Sequence, residues 1–222
     1  MKNLMRLFLL MVALNMATAT FAQTFRAKAG LNLSNMLMKS EEELVSDNYK
    51  MNIGFNAGIT AEFPISGVFS FEPGLFISTK GFNESATTTV GGVAIESKSK
   101  IGLLYIDIPL TAKATFEVGN YQVFGLFGPY VGMGLSGKNK SESTSSGVTT
   151  NLDKDIKWGE GDDKDLKRLD AGLIFGIGVE RSAYQLGITY ALGIANIAAF
   201  NTDTFQVKNR VLGITVGYKF GE

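Results

Sequence analysis

Apolar and polar residues alternate along most of the chain, which is the pattern of two-faced β-strands. From Thr24 to Ser34, one phase carries Phe, Ala and Leu, and the other carries Arg, Lys, Gly, Asn and Ser. The same alternation recurs seven more times, and the remaining chain shows no strong helical period. The predicted strands are 24–34, 52–63, 68–80, 104–116, 121–136, 169–180, 184–193 and 211–220.

The connections between these strands are alternately long and short. The short ones are 64–68, 117–120 and 181–183, and the long polar ones are 35–51, 81–100, 137–168 and 194–210. A strand of about eleven residues, tilted by about 40–45°, covers the apolar thickness of an outer membrane. We therefore predict an all-β fold: an eight-stranded antiparallel transmembrane β-barrel with short periplasmic turns and long extracellular loops.

Alternation alone leaves open which phase faces inward, so a secreted lipocalin-like barrel that binds a small ligand is an alternative. Two features favour the membrane barrel. Glycines such as Gly30, Gly54 and Gly176 fall in the polar phase, and the crowded lumen of a small barrel has little room for side chains. Seven aromatic residues of the apolar phase lie at the short-turn end and predict an aromatic girdle at one membrane interface. They are Phe25, Phe63, Phe69, Phe116, Tyr121, Tyr184 and Phe220.

The composition excludes several functions. Lys and Arg total 21, as do Asp and Glu, so the chain lacks the basic excess of a nucleic-acid-binding protein. It contains neither His nor Cys, which excludes Ser-His-Asp triads, cysteine proteases and zinc fingers. We predict no catalytic, cofactor-binding or metal site, and we do not expect an enzyme.

The first residues have the pattern of a secretory signal peptide. Lys2 and Arg6 precede an apolar run at 7–17 that is too short for a stable transmembrane helix, and small residues follow it. Cleavage after Ala22 is the first choice and cleavage after Ala19 the second. The predicted organisation is a cleaved signal peptide at 1–22 and an outer-membrane barrel domain at 23–222.

The inward phase carries five basic and five acidic side chains, and buried charges must be paired or hydrogen-bonded. We expect an ion-pair network that closes the periplasmic half of the lumen. The ten charges are Arg26, Lys28, Glu62, Glu72, Lys80, Asp107, Lys113, Asp170, Glu180 and Lys219, and all of them except Lys80, Asp107 and Asp170 should lie in the half near the short turns. The alternative is a gated or small-solute pore. Pro73, Pro109 and Pro129 also fall inside strands, where bulges or local breaks are expected.

Short motifs in order along the mature chain carry a family resemblance. They are FRAKAGLN at 25–32, FEPGL at 71–75, LYIDIPL at 104–110, GPYVG at 128–132, RLDAG at 168–172 and GYKF at 217–220. Together they resemble the PorT-like outer-membrane β-barrel proteins of Bacteroidetes, which are small barrels of the OmpA type. The resemblance implies the outer membrane of a Gram-negative bacterium. Some members of that family are linked to protein secretion, and no residue here marks this chain as one of them.

The sequence thus predicts a monomeric, non-enzymatic outer-membrane barrel with a structural or interaction role. Its expected partners are the lipid of the outer membrane and an extracellular or envelope protein that contacts the long loops. No nucleic acid and no cofactor are expected.

Overall fold

The computed structural model describes residues 23–40, 43–44, 49–90, 93–145, 148–200 and 205–220. The predicted signal peptide lies outside these residues. In the described part of the chain, no helix has the length and apolarity needed to cross a membrane.

Within the described residues, ten β-strands form one antiparallel sheet. They are β1 (Thr24–Ser40), β2 (Glu43–Leu44), β3 (Tyr49–Ser66), β4 (Phe69–Val90), β5 (Val93–Val118), β6 (Tyr121–Ser145), β7 (Val148–Asp155), β8 (Leu169–Arg181), β9 (Tyr184–Gly193) and β10 (Phe205–Phe220). Eight of them pair in the order β1-β3-β4-β5-β6-β8-β9-β10, and β10 pairs back to β1. The sheet therefore closes into the predicted eight-stranded barrel, while β2 and β7 extend the far ends of β1 and β6.

Three tight turns join β3 to β4, β5 to β6 and β8 to β9 at one end of the barrel. Each contains two residues between the strands. Gly67, Gly119 and Ser182 take positive φ angles of 52°, 62° and 54° there, as the tight hairpins of twisted strands require. The short connections are therefore confirmed and are shorter than the sequence predicted.

The opposite end differs from the prediction, because strands replace most of two expected loops. β4 pairs with β5 over 81–90 and 93–100, and β6 and β7 occupy much of 137–168. These segments are rich in Ser and Thr, and Thr favours strands. Most of their side chains are exposed on both faces, so the hydrophobic alternation that marks a half-buried strand is missing.

The two faces of the barrel have opposite polarity. Leu31 and Ile59 point outward and are 59% and 57% exposed, whereas their polar neighbours Asn32 and Thr60 point inward and are buried. An apolar outer surface around a polar interior is the arrangement of a membrane barrel and the reverse of a soluble one.

Six of the seven expected girdle residues are exposed at the short-turn end, and Phe63 is half-buried. Tyr218 lies among them, although the sequence prediction omitted it. Its ring centroid is 5.5 Å from that of Tyr184 and 5.3 Å from that of Phe220.

The three strand prolines lie beside gaps in the ladders. The β4–β5 pairing stops at Pro73 and resumes at Phe76, and the β5–β6 pairing stops at Pro109 and resumes at Ala112, each in an unchanged register. Pro129 faces the second gap. The expected local breaks are thus present, because proline has no N–H to donate. These sites have breaks rather than bulges, since the register shifts lie elsewhere in β3 to β6.

Candidate functional site

Six charged side chains meet inside the barrel on the side of the short turns, and we call them the lower cluster. Five strands supply them from their inward phase, and their side chains are between 0% and 14% exposed. They are Arg26 and Lys28 of β1, Glu62 of β3, Glu72 of β4, Lys113 of β5 and Glu180 of β8.

Four members of the lower cluster form a closed ring of ion pairs across the lumen. Arg26 contacts Glu62 and lies 2.8 Å from Glu180, measured from Nη2 to Oε2. Lys113 contacts Glu180 and lies 2.9 Å from the same Glu62 carboxylate. Each cation thus bridges the same two carboxylates, and this mutual pairing offsets the cost of removing four charges from water.

The ring is tied to its surroundings by further contacts. Lys28 Nζ lies 2.6 Å from Glu72 Oε1, and the other Glu72 oxygen lies 3.7 Å from Lys113 Nζ. Ser70 donates to Glu62 at 2.7 Å, and Gln185 donates to Glu180 at 2.7 Å. Three positive and three negative charges therefore form one neutral block that fills this end of the lumen.

A second group of charges lies further from the short turns, and we call it the upper cluster. Lys80 of β4 donates to Asp107 of β5 at 2.8 Å and to Asp170 of β8 at 2.9 Å. Tyr130 and Asn209 also donate to Asp170, at 3.2 and 2.9 Å. One carboxylate oxygen of Asp170 thus accepts three hydrogen bonds.

Two aromatic rings enclose the Lys80 ammonium group. Its Nζ atom lies 4.5 Å from the centroid of the Tyr105 ring and 4.8 Å from that of the Tyr130 ring. Both distances are within the range of cation–π attraction, which is stronger when the cation is desolvated. Both tyrosines are buried, as is Phe124.

Lys219 is an exception to the expected network. Its backbone pairs with that of Arg26 near the end of β10, but it makes no ion pair with the described residues. It is partly exposed at the periplasmic end, so water can solvate its charge without a carboxylate partner. The expected balance of five charges against five is therefore wrong for the two clusters, which hold four positive and five negative charges.

The outer end of the lumen is closed by a hydrophobic core, which the sequence analysis missed. Inward-facing residues of the extended strands contribute Met36, Phe82, Leu103 and Val207. Segments 156–168 and 194–199, which we call the cap, cover them with Leu166, Ile197, Ala198 and the partly buried Trp158. The sequence does carry a signal for this core, because the inward-facing positions change from polar to apolar residues at Met36, Phe82, Leu103 and Val207.

Contacts with β6 and the upper cluster hold the cap in place. The Trp158 ring meets the Tyr105 ring edge-on at 5.8 Å, above the upper cluster. Gly134 leaves room for Trp158, since a Cβ atom there would lie 2.5 Å from the indole. Arg168 donates to the Gly134 carbonyl at 2.8 Å. At the exposed tip of the cap, the hydrogen bond from Lys164 lowers the pKa of Asp163.

A cavity of about 100 Å³ lies between the two clusters. Lys28 and Glu72 line it from the lower cluster, and Lys80, Asp107 and Tyr130 line it from the upper cluster. No group of three or more carboxylates suited to a metal ion occurs among the described residues. The lower cluster and the cap thus lie on opposite sides of this cavity.

The family model for the outer membrane protein beta-barrel domain matches residues 21–199. No curated protein matches the chain significantly.

Three solved outer-membrane proteins are similar to this chain at low identity. The attachment invasion locus protein Ail of Yersinia pestis, in complex with the heparin analogue sucrose octasulfate, is 15% identical, with 90% of this chain and 100% of that chain covered and a TM-score of 0.37. Neisserial surface protein A is 14% identical, with 90% and 99% covered and a TM-score of 0.42. An outer membrane channel of Pseudomonas putida F1 is 9% identical, with 89% and 95% covered and a TM-score of 0.31.

Proposed function

Since the chain belongs to the outer membrane protein beta-barrel domain family and lies in the Gram-negative outer membrane, we propose that it is a closed, non-enzymatic barrel that presents an interaction surface outside the cell. The observation that carries this proposal is the double closure of the lumen. The lower cluster crosses it on the periplasmic side and the cap covers it on the outer side.

The proposed interaction surface is the sheet that β4, β5, β6 and β7 build beyond the barrel. Its charges are mixed in sign, with Lys98 3.7 Å from Glu142 and Lys140 3.9 Å from Asp153. Among the described residues β7 pairs only with β6, so its other edge presents free N–H and C=O groups. Such an edge binds an extended segment of another protein by strand addition. We propose that the barrel is monomeric and that an extracellular or envelope protein binds this edge of β7.

The finer assignment to the PorT-like proteins of Bacteroidetes is also a proposal, supported by where the motif residues lie. Arg26, Lys28 and Glu72 of the first two motifs belong to the lower cluster. Asp107 and Asp170 of later motifs belong to the upper cluster. Five charged residues of these motifs therefore belong to the two clusters inside the lumen.

Liposome swelling tests the closed barrel. Liposomes that contain the purified protein should swell in an isotonic solution of a small sugar no faster than protein-free liposomes, because the lower cluster leaves no continuous water path. A general porin in parallel liposomes provides the positive control. Swelling that rises with the amount of this protein would refute the proposal.

A further inference from the structure

Three small residues form a depression in the lipid-facing wall of the barrel, and we call it the wall groove. Its floor consists of Ala112 and Ala114 of β5 and Gly125 of β6. The groove has a volume of about 640 Å³, within the range of about 300–1,000 Å³ found for small-molecule pockets. The space above Gly125 is open, because a Cβ atom there would lie 3.9 Å from its nearest other atom.

Large apolar side chains surround the floor of the wall groove. Phe69 of β4 and Ile177 of β8 flank it on the two sides, and they are 58% and 67% exposed. On the side away from the short turns, Phe127 and Phe175 bound the groove with ring centroids 5.0 Å apart. The groove therefore opens towards the short turns.

Two polar residues also line the wall groove, and both belong to the inward phase. They are Lys113 and Thr189. The Lys113 side chain is 0% exposed, and its ammonium group pairs with Glu62 and Glu180 inside the lumen, so it presents no free charge to the groove. The wall groove therefore suits an apolar occupant.

A cationic group lies at the open end of the groove. Arg181 ends β8 and is exposed, and its guanidinium carbon lies 5.0 Å from the centroid of the Tyr121 ring at the start of β6. Its Nη1 atom donates to the Tyr121 hydroxyl at 3.1 Å, and Arg181 makes no ion pair with the described residues. The guanidinium group is thus oriented by an aromatic residue, while its other N–H groups remain available to an anion.

The spacing between Arg181 and the groove matches one leaflet of a membrane. Gly125 lies four residues beyond Tyr121 along β6, which corresponds to about 13 Å of strand and about 10 Å of depth at a tilt of about 40°. This depth is less than half of the apolar band of about 25 Å. The groove and the arginine therefore lie in the same leaflet, on the periplasmic side.

We propose that the wall groove binds an acyl chain of one glycerophospholipid of the periplasmic leaflet, and that Arg181 binds the phosphate of its headgroup. The planar guanidinium group matches the geometry of a phosphate, and the Tyr121 hydroxyl can donate to the same group. A flexible acyl chain can enter the depression, whereas the rigid wall of a second barrel would rest on the exposed side chains of Phe69 and Ile177.

Native mass spectrometry of the barrel, extracted from outer membranes in a mild non-ionic detergent, tests the proposal. Wild-type protein should retain one glycerophospholipid. Arg181→Gln should lower the retained fraction by about tenfold or more, because the charge-assisted hydrogen bonds to phosphate are lost. Ala114→Leu should lower the retained fraction as well, because the larger side chain fills the groove.

Two variants are the matched controls and should retain the lipid as wild type does. Lys219→Gln removes another positive charge near the periplasmic end, and Ala57→Leu enlarges an exposed alanine on β3, away from the groove. Heat-modifiability on gels checks that each variant is folded. Arg181 lies at an exposed strand end, so the pair Arg181→Gln and Lys219→Gln still tests the site if Ala114→Leu does not fold.

Wild-type protein that retains no phospholipid would overturn the lipid site, as would equal retention in wild type, Arg181→Gln and Lys219→Gln. Particles of two chains without lipid, less abundant in Ala114→Leu, would also overturn it and would assign the groove to a second copy of the chain. None of these results depends on closure of the lumen, which liposome swelling tests separately.

Discussion

The part of the barrel within the apolar band and the part beyond it have opposite polarity on the same strands. Near the short turns, Lys113 of β5 points inward into the lower cluster while Phe116 of the same strand faces outward. Further along β5, Leu103 is buried inside while Lys98 and Lys100 are exposed outside. Alternation therefore defines two faces, and the surrounding medium decides which face is apolar.

The two parts should therefore be stabilised by different forces. The lower part relies on ion pairs inside the closed strand ladder, and removal of one partner leaves a buried charge. The outer part relies on apolar burial from water, as in a soluble core. Single substitutions in each part separate the two contributions.

The largest effect is expected from Glu180→Gln in the lower cluster. Arg26 and Lys113 would lose one of their shared carboxylates, and breaking such a buried pair costs about 3–5 kcal/mol. The loss in the free energy of unfolding is measured by urea titration of the protein refolded in lipid. The double variant Lys113→Met/Glu180→Leu should recover much of it, because it removes both charges. A loss below about 1 kcal/mol for Glu180→Gln would contradict the ring of ion pairs.

Leu103→Ala should destabilise the outer part by about 2–4 kcal/mol, because it opens a cavity in a core whose leucine is 1% exposed. Leu152→Ala on β7 is the matched control, since Leu152 is 53% exposed and should change stability by less than about 0.5 kcal/mol. Both are measured by the same urea titration. Equal effects of the two variants would show that the cap is not a packed core.

Gly134→Ala should displace Trp158 and cost about 1–3 kcal/mol, because the added methyl group overlaps the indole. The chain has a single Trp, so its fluorescence emission reports the displacement directly. Gly125→Ala, with its nearest other atom 3.9 Å from the new Cβ, should leave the emission unchanged. If the emission of Gly134→Ala is also unchanged, then Trp158 does not pack against Gly134.

The smallest effect is expected from Glu142→Gln on the outer sheet. This residue lies 3.7 Å from Lys98 in an exposed pair, and such pairs contribute about 0.5 kcal/mol or less and weaken with salt. Urea unfolding in low and high NaCl should show the small loss only at low salt. A loss of unfolding free energy as large as that of Glu180→Gln would contradict the expectation that buried ion pairs contribute more than exposed ones.

The strands near the short turns could be predicted from the sequence because lipid outside and a polar lumen inside enforce strict alternation. Nine of the ten expected lumen charges lie in the two clusters, since charges in the inward phase must find partners. Lys219 does not, because its position near the end of β10 gives it access to water. Which cation meets which carboxylate depends on the order of strands around the ring, which charge patterning does not specify.

The outer strands and the cap could not be predicted in the same way. Beyond Phe82 and Leu103, the β4–β5 and β6–β7 extensions are mostly polar and exposed on both faces, so no periodicity marks them. The cap brings Trp158, Leu166 and Ile197 together from two distant segments, and no local pattern links them. The sequence pattern likewise does not specify that Lys219 lies outside both clusters, which leaves them with one more acidic than basic residue.

Planar-bilayer recording tests the closed lumen most directly. The wild-type barrel should give no steady conductance above the bare bilayer, because the lower cluster and the cap block both ends of the lumen. Steady open-channel current of porin size from the correctly folded protein would contradict the account.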